Sequence, residues 1–353
     1  MSALSFVIVG LLLLVTLGSL ATTAFAAPRL IAGTIDTHSN QRLKPGVFSF
    51  DVATGKRTRV IHGRPGHPTW SPNGRRIMYA IGFENNLEIW TSGRKGNNRV
   101  RVTRNNRLDE WPSWAPGSRR IVVERWNSND LEEDHELWVM RVDGSGGRQL
   151  TDNLVHDECP VWSPDGQLIA FYKRDPWHLF TIRPDGTHER QVTSGAFEDD
   201  GPIWSPDGKR ILFRRFDTTT RAAGLYIVGR DGTQLRLVTS IGAPGGYSFS
   251  PDGSHIAFSS RTDSGVGIYV TRADGANVRL LATLKHSPAG GPTWSPDGSR
   301  LVFGKDLKLE KGDINLWVAR VDGSRIRPVT STPHVREYSP NWASSEQSCQ
   351  GGY

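Results

Sequence analysis

The sequence predicts an all-β protein: a seven-bladed β-propeller of four-stranded antiparallel blades, closed by a C-terminal strand that joins the N-terminal three. Three observations predict it. An aromatic residue recurs at Trp70, Trp114, Trp162, Trp204, Phe249, Trp294 and Trp342, at spacings of 44, 48, 42, 45, 45 and 48 residues, and a period in the mid-forties is the length of one propeller blade. Within each period four strand-length segments recur, plainest in the third copy as CPVWS, QLIAFYK, WHLFTIRPDG and ERQVTS. The two ends of the chain carry complementary fragments of one more unit.

The elements follow in order. The first segment of a unit ends at the aromatic and runs into Ser-Pro-Asp-Gly, as at Ser163 to Gly166. Proline presets the backbone of a tight turn and glycine accepts its positive φ, so the next segment folds back as a hairpin. Asp-Gly pairs at Asp143, Asp185, Asp231, Asp274 and Asp322 mark a second hairpin between the third and fourth segments. Apolar runs such as Ile211 to Phe213 and Leu301 to Phe303 do not alternate, as expected of strands covered on both faces by neighbouring blades.

Ahead of Trp70, RLIAGT, VFSFDVATGKR and RTRVIHG read as second, third and fourth strands without a first. Around Trp342, YSPNWASS reads as a first strand without the rest. Joining them completes a seventh blade and removes open sheet edges. The propeller is thus expected over residues 27–343, with a disordered tail at 344–353.

Residues 1–26 read as a secretory signal. An uncharged apolar stretch from Leu4 to Leu20 leads to Ala24, Phe25 and Ala26, an A-x-A site with cleavage before Ala27. An uncleaved anchor is the alternative; the cleaved form is expected in the periplasm or outside the cell, as a monomer and not as an integral membrane protein. Cys159 and Cys349 are the only cysteines. The fold places them on different blades, which argues against a bridge.

The chain has 43 Lys and Arg against 36 Asp and Glu, a net charge of +7. The bases are spread along the chain in pairs that follow turns, such as Arg119 and Arg120, so no nucleic-acid partner is expected. No G-x-S-x-G elbow, phosphate loop or H-E-x-x-H occurs, so conventional hydrolase and nucleotide chemistry find no residues.

The P-x-W-S-P-D-G units, followed by an apolar strand, resemble the TolB-like family of propeller repeats. Six motif copies carry the likeness, at Trp70 to Gly74, Trp114 to Gly117, Trp162 to Gly166, Trp204 to Gly208, Phe249 to Gly253 and Trp294 to Gly298. The resemblance implies that the motif strand is innermost. It also implies a periplasmic protein that binds an envelope partner at the channel mouth, although TolB itself has a six-bladed propeller behind an α/β domain for which residues 27–62 leave no room. Similar repeats occur beside peptidase domains, which are not expected here, and in seven-bladed oligogalacturonate lyases.

Hairpin turns at one end of every blade leave the variable connections at the other, where function is expected. There RLDEWPSW, VHDECPVW and FEDDGPIW place Asp109 and Glu110, Asp157 and Glu158, and Asp199 and Asp200 four and five residues before the aromatic. Asp130, Glu132, Glu133 and Asp134 add to the same face. These acids suit a basic protein or peptide partner; Ca2+ held by carboxylate and carbonyl oxygens, or a solvated rim, are the alternatives. A non-catalytic scaffold is the expected function. The enzymatic alternative is a metal-dependent polysaccharide lyase, with His62, His286 and His334, each eight residues before a motif aromatic, as metal ligands.

Overall fold

The computed structural model describes residues 30–36, 45–63, 65–83, 86–126, 134–262, 265–284, 291–308, 313–331 and 336–342. The expected signal segment and C-terminal tail lie outside them. The described strands form six hydrogen-bonded sheets. Five have four antiparallel strands in chain order: sheet 1 from Gly66 to Arg101, sheet 2 from Asp109 to Gln149, sheet 3 from Asp157 to Gln191, sheet 4 from Phe197 to Thr239 and sheet 5 from Ala243 to Leu284. Sheet 6 has eight strands. It takes in Thr293–Trp294 through Arg327–Pro328, then Arg336–Trp342, which pairs antiparallel with Leu30–Asp36, followed by Gly46–Asp51 and Arg57–His62.

The expected count of seven blades is therefore corrected to six. The unit closed by Arg336–Trp342 does not stand as a sheet of its own, because Arg336 pairs in parallel with Ile314 and fuses it to the unit before. Spacing of aromatics counts repeats, and one backbone pairing between repeats leaves no mark on it. Among the described residues no helix is long and apolar enough to cross a membrane.

Local chemistry explains the first hairpin of sheets 3 to 6. In sheet 3 the Asp165 carboxylate accepts from Ser163 Oγ at 2.6 Å and from the Gln167 N–H at 3.0 Å, while the Gly166 N–H donates to Ser163 O at 2.8 Å. Gly166 takes a φ of 69° there, a conformation that costs glycine little. The same latch recurs at Ser205 with Asp207, Ser250 with Asp252 and Ser295 with Asp297. Three-residue runs at the start of the second strands, including Ile211 to Phe213 and Leu301 to Phe303, are wholly buried. Each removes two faces of apolar surface from water, about 1.5–3 kcal/mol per large side chain.

The motif aromatics join sheet to sheet. Trp204 Nε1 donates to Val161 O at 3.1 Å, Trp294 Nε1 to Ser248 O at 3.2 Å and Trp342 Nε1 to Thr293 O at 3.2 Å. Arginines that open second strands then lie over the next aromatic: Arg120 over Trp162 and Arg300 over Trp342. Much of the basic charge therefore has a packing role, worth about 0.5–1 kcal/mol per contact at exposed sites. First strands adjoin one another in succession from sheet 1 through sheet 4, and from sheet 5 through Thr293–Trp294 and Arg336–Trp342 back to sheet 1. They consequently line the centre of the ring.

Candidate functional site

The first strands of sheets 2, 3 and 4 share one irregularity. Their register slips between Glu110 and Ser113, Glu158 and Val161, and Asp200 and Ile203. The residue at the head of each bulge has a positive φ: Trp111 at 43°, Cys159 at 58° and Gly201 at 60°. Pro112, Pro160 and Pro202 come next, and a residue without an N–H suits an interrupted ladder. Beyond the bulge the register sets Asp109 opposite Arg125, Asp157 opposite Lys173 and Asp199 opposite Arg215.

Those three aspartates are fully buried. Arg125 Nε donates to Asp109 Oδ1 at 2.6 Å, and Arg215 donates to both oxygens of Asp199 at 2.6 and 2.8 Å. Lys173 Nζ lies 3.7 Å from Asp157 Oδ1. Asn105 and Asn153 bind Asp109 and Asp157 through their side-chain amides at 2.7 and 2.6 Å, while their backbone N–H groups donate to Glu88 and Glu136. Burial nevertheless raises the pKa of Asp109 and of Asp157, against the pull of Arg125 and Lys173. Asp200 is raised by burial too, and Arg214 holds it in a two-point ion pair.

The glutamates gather at the seam between sheets 2 and 3. Glu110 stands directly opposite Glu124, an arrangement that is unfavourable for like charges. His135, at the start of the third strand of sheet 2, offsets it: its Nδ1 lies 3.0 Å from Glu124 Oε1 and 3.4 Å from Glu158 Oε1, with an aligned hydrogen bond to neither. Burial works against an imidazolium at His135, but Glu124 and Glu158 outweigh it and push its pKa up to about 9. Burial pushes Glu124 up to about 7, with Glu158 adding to the shift. Burial also raises Glu158, but His135, Tyr172 and Arg174 together hold it below the usual range. Trp126 stacks on the His135 ring at 4.2 Å, and His156 meets that ring edge-on at 4.5 Å.

The six predicted acids thus come to one end of three successive sheets, with Asp109, Asp157 and Asp199 as interior ion pairs. His62 is exposed at the end of Arg57–His62, whereas His286 and His334 lie outside the described residues, as do Asp130, Glu132 and Glu133. Sequence reasoning missed Glu124, His135 and His156. The signal was present: His135 occupies a position that holds Leu87, Trp177, Ala223, Val266 or Ile314 in the other third strands. Cys159 is disulfide-bonded, which overturns the expectation of unbridged cysteines; Cys349 lies outside the described residues.

Comparison with known proteins fits this geometry. The chain matches the sequence model of a family described as the TolB beta propeller domain, over residues 35–243 and 174–349. Among solved structures, an oligogalacturonate lyase in complex with manganese superposes with a TM-score of 0.67 at 16% identity, over 80% of this chain and 84% of that one. An oligogalacturonate lyase from Vibrio parahaemolyticus gives 0.66 at 13% identity, over 78% and 83%. TolB from Acinetobacter baumannii gives 0.54 at 16% identity, over 89% and 82%. At these identities the likeness concerns the fold. No curated protein matches the sequence.

Proposed function

The chain belongs to the TolB β-propeller domain family, and from that premise we propose that it is an exported, non-catalytic scaffold whose loop end of sheets 2 to 4 docks a protein or peptide of the cell envelope. One observation carries the reading. Buried pairs Asp109 with Arg125, Asp157 with Lys173 and Asp199 with Arg215 brace the first strands, directly beneath the connections that enter them. The connection into sheet 3 presents Leu154, 97% exposed, and the first strand of sheet 4 opens on Phe197, 37% exposed. Apolar anchors on braced loops, beside the half-buried Glu110 and Asp200, suit a partner with an apolar segment and basic neighbours. Export rests on the residues before Ala27 and on the family's periplasmic members.

The test is capture from envelope extracts by immobilised protein. Leu154→Asp should abolish retention of a specific partner and leave the melting curve unchanged. Equal retention by this variant and the wild type would sink the reading. The alternative, a metal-dependent polysaccharide lyase, draws on the likeness to oligogalacturonate lyases, and His62 is the described member of its histidine set. Release of unsaturated product from oligogalacturonate with added Mn2+, lost in His62→Ala, would favour it instead.

A further inference from the structure

The seam between sheets 2 and 3 assembles metal-binding chemistry that the fold does not require. One ligand atom each from His135, His156 and Glu158 lie within 4.8 Å of one another. His135 and Glu158 are buried and His156 is half-buried. Glu124 Oε1 lies beside this group, 3.0 Å from His135 Nδ1. The Nδ1 atom of His156 is enclosed and makes no hydrogen bond, an expensive condition for a buried polar atom, and that of His135 faces only the Glu124 and Glu158 carboxylates.

The other units show what the scaffold needs at these places. Where sheet 2 has Glu124, the equivalent second strands carry Ala80, Tyr172, Arg214, Ser259 and Gly304. Where His156 precedes the motif acids of sheet 3, Leu108, Glu198 and Ala243 stand. Three departures from a tolerant repeat, on three different strands or connections, converge on one point.

We infer that His135, His156 and Glu158, with Glu124 or water in the fourth position, form a Zn2+ site at the mouth of this seam. Two imidazole nitrogens with carboxylate oxygen are a donor set for zinc, whereas Ca2+ prefers oxygen alone. Surrounding groups already orient the donors. Tyr172 Oη donates to Glu158 Oε2 at 2.5 Å and Arg174 Nε lies 2.7 Å from Oε1. The Cys159 N–H donates to Glu124 Oε2 at 3.1 Å, leaving Oε1 toward His135, and Trp126 fixes the plane of the His135 ring by stacking. Such outer contacts preset ligand orientation. The donors differ from His62, His286 and His334, and the site does not depend on the docking proposal.

The experiment uses tag-free, chelator-treated full chain and ZnCl2. Equilibrium dialysis with elemental analysis should find one zinc per chain, and Zn2+ should raise the melting temperature where equal Ca2+ or Mg2+ does not. His156→Ala, at the half-buried rim, should weaken zinc binding about tenfold or more. His135→Leu places the residue that sheet 1 carries at Leu87; it should lose zinc in dialysis, while its zinc-free melting temperature falls because Glu124 and Glu158 lose the imidazole between them. Substoichiometric zinc in the wild type, or unchanged binding in both variants, would overturn the inference and leave His135 as an internal ion-pair partner. Leu154→Asp should bind zinc normally, so failure of the docking proposal is read separately.

Discussion

Sheets 4 and 5 build the same bulge at their loop ends from opposite chemistries. In sheet 4, Asp199 and Asp200 stand opposite Arg215 and Arg214, a four-charge ladder whose Asp199 and Arg215 are buried. In sheet 5 the register slips at the same place, between Pro244 and Tyr247, but Pro244 stands opposite Ser260, whose hydroxyl donates to Ile241 O. The next first strand then comes so close that a Cβ on Gly291 would lie 2.5 Å from the Gly246 carbonyl carbon. Sheet 4 thus holds its bulge by ion pairs, and sheet 5 brings the next segment into close backbone contact. Since small residues suffice for the bulge, the charges of sheets 2 to 4 are additions to the fold, and buried ion pairs add specificity more readily than stability.

The sharpest way to break this comparison is to remove one charge. Asp199→Ala should cost about 3–5 kcal/mol, because Arg215 is left buried without its partner. Asp199→Ser with Arg215→Ser, which replaces both charges by small hydroxyls such as Ser260 of sheet 5, should recover most of that loss in urea unfolding. A double variant as unstable as the single would show that sheet 4 needs its charges. Gly291→Ala tests the contact beside sheet 5: the added methyl meets the Gly246 backbone, and overpacking of this kind costs about 1–3 kcal/mol. An unchanged midpoint would mean that the two strands separate freely.

The smallest effect sharpens the boundary at sheet 1, whose bulge residue His67 packs on Trp111 with ring centroids 3.9 Å apart. Burial lowers its pKa from 6.5 to about 4. The unfolded chain therefore takes up a proton between these values while the folded chain does not. Stability is full above pH 6.5 and falls as the pH drops toward 4, by about 1–2 kcal/mol after allowance for partial solvent screening. His67→Asn, a residue that tolerates the φ of 49°, should flatten that slope in unfolding titrations at pH 7 and pH 4.5.

What the sequence disclosed follows the range of the chemistry. The turns at Ser163 to Gly166 and Asp185 to Gly186 were legible because proline, aspartate and glycine act within four residues. The acids of sheets 2 to 4 were legible as a position, but their partners were not, since Arg125, Lys173 and Arg215 lie one strand away across a bulge that shifts the register. His135 escaped notice because it is remarkable only against the apolar residues at the same place in other units. The blade count and the bridge at Cys159 depend on pairings between distant parts of the chain, which carry no local signature.

The pairing of Leu30–Asp36 with Arg336–Trp342 bears on how the molecule is made. Asp36 and Arg336 are partners 300 positions apart, and contacts of such sequence separation are the slow ones in folding, because loop closure costs entropy before any reward. Sheets 1 to 5 pair within themselves and need not wait. Until Arg336–Trp342 arrives, Leu30–Asp36 presents an unpaired edge, the kind of surface that recruits other chains. Refolding yield should accordingly fall with protein concentration while the early gain of β signal does not, and assembly turns on the last described strand.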